Sequence, residues 1–163
     1  MAEKIIHIED ETQLSALFGQ LDSNIHHIEK NYNVSIINRD GRIKIIGEET
    51  AVADAEKSVN ALIKLNSNGQ VLSDQTIRYV TAVVADGAEQ QLEDLGKDGV
   101  CVTSSGKIIR PRTIGQKNYI DEIKNNTIVL GIGPAGTGKT YLAVAMAVKA
   151  FREHKIKKII LTR

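Results

Sequence analysis

Gly133-Pro134-Ala135-Gly136-Thr137-Gly138-Lys139-Thr140 fits the pattern G-x-x-x-x-G-K-[ST], the P-loop, at every fixed position. Each residue type in it has a physical task. The glycines permit backbone angles and a close approach that a Cβ would forbid. Successive amide N–H groups can then converge as a concave nest on a chain of phosphates. Lys139 can set its ammonium between the terminal phosphates, and the Thr140 hydroxyl is placed to coordinate Mg²⁺. Pro134 has no N–H to donate, so it belongs outside the nest of donors. A chance match is expected in about one chain in a hundred of this length.

The flanks supply the context that the pattern needs. Thr127-Ile128-Val129-Leu130-Gly131-Ile132 is a short, β-branched apolar run and reads as a buried strand. From Thr140 to Arg152, Leu142, Met146 and Phe151 stand among alanines and valines with no Gly or Pro, so a helix is expected to begin at the loop. Its N-terminus would add the positive end of the helix dipole to the phosphate site. Strand, loop and helix together predict a nucleotide site formed by Gly133, Pro134, Ala135, Gly136, Thr137, Gly138, Lys139 and Thr140, with Tyr141 beside them in the first helical turn.

At 163 residues the chain has room for one ordinary domain or two small ones. Hydrophobic residues at 42% and charged residues at 25% are globular values, and a formal net charge of +1 gives no global basic footprint for nucleic acid or membrane. The single Cys101 excludes an internal disulfide framework and suits a reducing compartment. No apolar stretch reaches the length of a membrane span, and Met1-Ala2-Glu3-Lys4 does not open like a signal peptide, so a cytoplasmic protein is expected. The four histidines have no metal-ligand spacing; His26 and His27 are adjacent and read as a solvated pair.

Upstream, the pattern changes to that of a small α+β unit. Lys4–Ile8 reads as a strand, Thr12–Phe18 as a helix ending at Gly19, and Asn24–Asn31 as a second helix with Ile25 and Ile28 on one face. Glu9, Asp10 and Glu11 favour the start of the first of these helices. Asn33–Ile37 and Arg42–Ile46 flank Asp40-Gly41, a hairpin signal. Val52, Ala55, Val59, Leu62 and Ile63 recur at helical spacing within 50–65, and Ile77, Val80 and Val84 do so within 73–85. A polar, glycine-containing stretch from Asp86 to Gly99 reads as a connector, holding Gly87, Gly96, Gly99 and the acidic Glu89–Asp94 segment. Val100–Thr103 and Lys107–Arg110 read as a hairpin about Ser104-Ser105-Gly106.

The β-α-α-β-β-α order of the first unit resembles a KH domain, which grips single-stranded RNA through a G-x-x-G loop between its first two helices. Here that loop is Gly19-Gln20-Leu21-Asp22, with an acid at the second glycine position. A carboxylate repels phosphate, which weakens the expectation of RNA binding and leaves a docking or stabilising scaffold as an equal alternative. Lys30, Arg39, Arg42 and Lys44 supply a modest basic edge or a solvated face.

Arg110-Pro111-Arg112-Thr113-Ile114-Gly115-Gln116 and the run from Gly131 to Val148 resemble the PhoH-like family of P-loop ATPases, relatives of superfamily 1 helicases. The resemblance implies binding and hydrolysis of ATP with Mg²⁺, coupled to RNA metabolism. It also implies that Gln116 reads adenine, since one amide can both donate and accept at the base edge; a plain polar residue opening the helix 116–124 is the alternative. Arg112 would help to position that segment or the nucleotide. The expected architecture combines α+β and α/β parts. A KH-like unit spans 1–86, and a connector with a short hairpin spans 87–110. The first, incomplete part of a RecA-like, superfamily 1 helicase-like P-loop NTPase domain, with a parallel sheet, spans 111–163.

The resemblance also implies chain beyond Lys158-Ile159-Ile160-Leu161-Thr162-Arg163, which reads as the strand after the P-loop helix. Hydrolysis needs a Mg²⁺-binding acid at a later strand end and a residue that orients water. Neither is visible downstream of Thr140, and the acids after Ile5–Ile8 fit the first unit better. A sheet of two parallel strands exposes apolar faces, so residues 116–163 are expected to be poorly stable alone, completed by further chain or by homo-oligomerisation. A guanine-reading N-K-x-D motif is absent, and small-molecule kinases usually open with their P-loop. The alternatives to an ATPase are a non-enzymatic KH-like RNA-binding or docking module and an inactive fragment.

Overall fold

A computed structural model describes residues 1–8, 10–39, 41–92, 95 and 99–162, which divide into two compact units, Met1–Asp94 and Leu95–Arg163. Glu9 of the acidic helix start, Asp40 of the hairpin turn, and Glu93, Asp94 and Gly96 of the connector lie outside the described residues.

The first unit runs β1 (Ala2–His7), α1 (Glu11–Phe18), a single 3₁₀ turn (Gln20–Asp22), α2 (Ser23–Tyr32), β2 (Ser35–Arg39), β3 (Arg42–Gly47), α3 (Glu49–Ser67), α4 (Asp74–Ala85) and a second 3₁₀ turn (Glu89–Leu92). The expected order of strands and helices is present. β3 lies in the centre, antiparallel to both neighbours, in the order β1-β3-β2. Alternation along β3 buries Ile43 and Ile45 completely while Lys44 points to the opposite face, where Ile5 and Ile37 stand beside it. Leu17, Ile25, Ile28, Val52, Val59, Leu62, Ile77 and Val80 complete the core at the helical spacings read above. In α3 the buried stripe turns slightly, with Leu65 buried and Ile63 half-buried.

Local chemistry sets the helix ends. Asp10 caps α1 by accepting from the Thr12 N–H at 2.8 Å and from its hydroxyl. These bonds, the hydroxyl's foremost, hold the Asp10 carboxyl below its usual range. An acid here is therefore a helix cap, and β1 belongs to the antiparallel sheet. Tyr32, at the end of α2, shares a 2.7 Å hydrogen bond with the buried Ser58 of α3 and donates to the Thr81 carbonyl of α4 at 3.3 Å, joining three helices.

The second unit contains β4 (Cys101–Val102), β5 (Ile108–Ile109), α5 (Ile114–Asn125) and α6 (Lys139–Arg152). The two strands form the expected hairpin. Val100, Ile120, Leu142, Ala145 and Met146 form a small core with Cys101, Ile109, Tyr119 and Ile123 packed against it. Phe151, the third large apolar residue of the helical run, is 47% exposed.

Two strand expectations fail. Thr127–Ile132 and Lys158–Thr162 are irregular, and all described strand pairs are antiparallel. Ile128, Leu130 and Ile132 are 82%, 83% and 93% exposed. The physical reason is that a parallel strand is stabilised by neighbours on both edges and helices on both faces. Among the described residues no strand pairs with either run. The exposed apolar surface foreseen for a minimal parallel sheet is present; the sheet is not.

Candidate functional site

Residues 133–138 form an irregular loop that passes directly into α6 at Lys139. Gly136 and Gly138 adopt φ of 78° and 84°, the left-handed region that glycine enters without steric cost. Gly138 is the N-cap of α6 and offers no side chain, so the first helical N–H groups are not satisfied by a side-chain cap. That leaves donors and the positive end of the helix dipole at the mouth of the loop.

The Lys139 side chain turns back over the loop. Its ammonium donates to the carbonyls of Gly133 at 2.8 Å and Pro134 at 2.6 Å, and it lies 3.3 Å from the Thr137 hydroxyl. Thr137 in turn donates from its hydroxyl to the Pro134 carbonyl at 3.0 Å. Pro134, which has no N–H, thus serves the loop as an acceptor. Ala135 is an exposed loop position, Thr140 is exposed in the first turn of α6, and Tyr141 follows it, 59% exposed.

Gln116 is brought to the same place. Thr113 caps α5, its hydroxyl accepting from the Gln116 N–H at 3.2 Å. The Gln116 side-chain oxygen accepts from the Arg112 N–H at 2.7 Å, and its amide nitrogen donates to the Thr137 carbonyl at 3.1 Å. One helical turn further on, the Tyr119 ring packs so closely on Gly131 that a Cβ there would lie 3.1 Å from it. The spacing of the motif finds Lys139 and Thr140. It does not find Thr113, Tyr119 or the partners of Gln116, whose contacts join residues far apart in sequence.

In the first unit, Gly19 (φ 72°) leads into Leu21 and Asp22, both in the left-handed region with φ of 52° and 58°. Asn24, almost fully buried, donates to the Ala16 carbonyl at 3.1 Å and holds the end of α1 against the start of α2. The turn borders an open cavity of about 840 Å³, lined by Ser15, Gln20, Ser23, Asn24, Asn66 and the 69–74 segment among others. On the sheet, Lys44 pairs with Glu3 at 2.6 Å, which reduces the expected basic edge. Among the described residues no cluster of His, Cys, Asp or Glu is arranged to hold a metal ion, and no helix is long and apolar enough to cross a membrane.

Residues 108–163 match the family described as PhoH-like protein. Over 148 residues, 90% of this chain, a PhoH-like protein of Mycobacterium tuberculosis (strain ATCC 25618 / H37Rv) is 42% identical. The chain belongs to the PhoH-like family. A PhoH-like protein of Bacillus subtilis (strain 168) is 38% identical and one of Synechocystis sp. 29% identical, each over 91% of this chain. The matches span 42%, 46% and 45% of those three proteins, so this PhoH-like chain corresponds to less than half of their length. No solved structure matches it significantly.

Proposed function

We propose that the 133–140 loop binds the triphosphate of Mg·ATP and that the complete protein couples ATP hydrolysis to RNA metabolism. The observation that carries this reading is the Lys139 ammonium, arched over a glycine-rich loop at the N-terminus of α6. A cation held there, beside uncapped helical N–H groups, suits a polyanion and little else. Thr140 would hold Mg²⁺ through its hydroxyl, and the metal would neutralise charge on the phosphates. Gln116, its amide beside the loop, is the candidate reader of adenine. Hydrolysis would further need a metal-binding acid and a residue that orients water.

The test is calorimetric binding of Mg·ATP and Mg·GTP. The chain should bind ATP in preference, and Lys139→Ala should weaken binding by about 10- to 100-fold, the value of a charge-assisted hydrogen bond. Equal affinity of Lys139→Ala and the parent chain would overturn the proposal.

A second reading, single-stranded RNA binding by the first unit, is favoured by its β-α-α-β-β-α order, its β1-β3-β2 sheet and the left-handed turn after Gly19. Asp22 opposes it, both by charge and by holding φ of 58° where glycine would be at ease. Replacing Asp22 with Gly should therefore strengthen salt-dependent binding of a single-stranded RNA oligomer, read by fluorescence anisotropy. No binding by either chain leaves the unit a scaffold.

A further inference from the structure

We propose that Gln116 is a positioning residue for the phosphate loop itself: a latch that fixes the loop's last turn to α5 whether or not a base is present. The proposal rests on the reading of 133–140 as a triphosphate site and adds to it a role independent of adenine.

The latch starts at the cap of α5. Thr113 at the N-cap and Gln116 three residues later have the spacing of a capping box, in which the second side chain reaches back to a backbone N–H at the helix start. Here it reaches one residue further back, to the Arg112 N–H at 2.7 Å. That bond orients the side-chain amide and turns its nitrogen outward, where it meets the Thr137 carbonyl at 3.1 Å. Thr137 immediately precedes Gly138, which sets the start of α6 and the direction of Lys139. A Cβ on Gly138 would stand 3.3 Å from the Gln116 nitrogen, a tight contact that would press on the amide by a few tenths of an ångström. With Tyr119 against Gly131, one face of α5 touches both the chain that leads into the loop and the loop's last turn.

Capacity matters as much as contact. A primary amide has two N–H donors and an oxygen with two lone pairs. The latch uses one of each, leaving one donor and one acceptor for a base edge. The same side chain can then hold the loop and read adenine together, so occupancy of the base site and the position of the loop become linked.

Mg·tripolyphosphate, which has no base, separates the two roles. Its affinity would be measured by calorimetry beside that of Mg·ATP for the parent chain, for Gln116→Ala and for Gln116→Met. The methionine variant fills similar space without hydrogen bonds, and melting curves check that each variant folds. Lys124→Ala, at the far end of α5, serves as a control expected to bind like the parent. The latch predicts that both Gln116 variants lose about fivefold in tripolyphosphate affinity, as for one lost hydrogen bond, and at least as much for ATP. Parent-like tripolyphosphate affinity in a folded variant that has lost ATP affinity would make Gln116 a base reader only and overturn the latch. A parent chain that binds neither ligand would overturn the triphosphate site, and the latch with it.

Discussion

Gly136 and Gly138 share a left-handed backbone but not an environment. Nothing lies within 4 Å of a Cβ built on Gly136, whereas one on Gly138 meets the Gln116 amide at 3.3 Å. Alanine at either position enters the left-handed region at a cost of about 1–2 kcal/mol. Gly138→Ala should cost more than Gly136→Ala and should weaken triphosphate binding further, because it also displaces the latch. Denaturant unfolding and calorimetry of the pair check this; equal effects would show that the Gln116 contact carries no weight. At this scale much was legible in the sequence, since Lys139, Thr140 and the glycines stand at fixed spacings for reasons of reach and backbone freedom. The Gln116–Thr137 bond was not legible, because it joins residues 21 apart that meet only when α5 packs beside the loop.

Helices were legible through periodicity and caps, because their hydrogen bonds close within the segment. The N-caps Asp10, Ser73 and Thr113 each accept from a nearby helical N–H. Strand expectations held where the described chain supplies a partner, through a hairpin for β2–β3 and β4–β5 and at long range for β1 on β3, and failed for 127–132 and 158–162, beside which no described strand lies. How elements are joined is testable at two places. Tyr32→Phe removes the hydrogen bonds that Tyr32 makes to α3 and α4 and leaves the buried Ser58 hydroxyl without this partner, so it should cost about 1–2 kcal/mol in denaturant unfolding. An unchanged midpoint would contradict the three-helix junction. The Glu89–Leu92 turn is tied to α3 by Lys57, whose ammonium lies 3.0 Å from Glu89. The backbone N–H of Glu89 and the Lys57 ammonium hold the Glu89 carboxyl below the usual 4.5, and the hydrogen bond and charge of Glu89 raise the Lys57 ammonium above 10.5. Their contribution is complete between those values. It is lost as pH falls through the depressed value of Glu89 or rises through the raised value of Lys57. Amide exchange in α3 and this turn, corrected for intrinsic rates, should accelerate in acid below pH 4.5, and Lys57→Ala should reduce that dependence without abolishing it, because the Glu89 backbone N–H still favours the carboxylate.

Burial is unevenly distributed over the molecule. The first unit holds a sheet covered by helices with fully buried Leu17, Ile43, Ile45 and Leu62, whereas the cluster of the second rests on Val100, Ile120, Leu142, Ala145 and Met146. The second unit also exposes Ile128, Leu130, Ile132, Ile160 and Leu161. Amides of α5 and α6 should therefore exchange at lower denaturant than those of α3 and β3; coincident exchange would contradict this inequality. Composition could not show the difference, because it counts apolar residues without saying which find partners. The most direct test of the account follows backbone amide resonances across the whole isotope-labelled chain during titration with Mg·ATP. Gly136, Gly138, Lys139 and Thr140 should shift most, with Gln116 beside them, and Lys139→Ala should suppress the response. Shifts centred instead on Gly19–Asn24 and the cavity of the first unit, with the 133–140 loop unmoved, would contradict it.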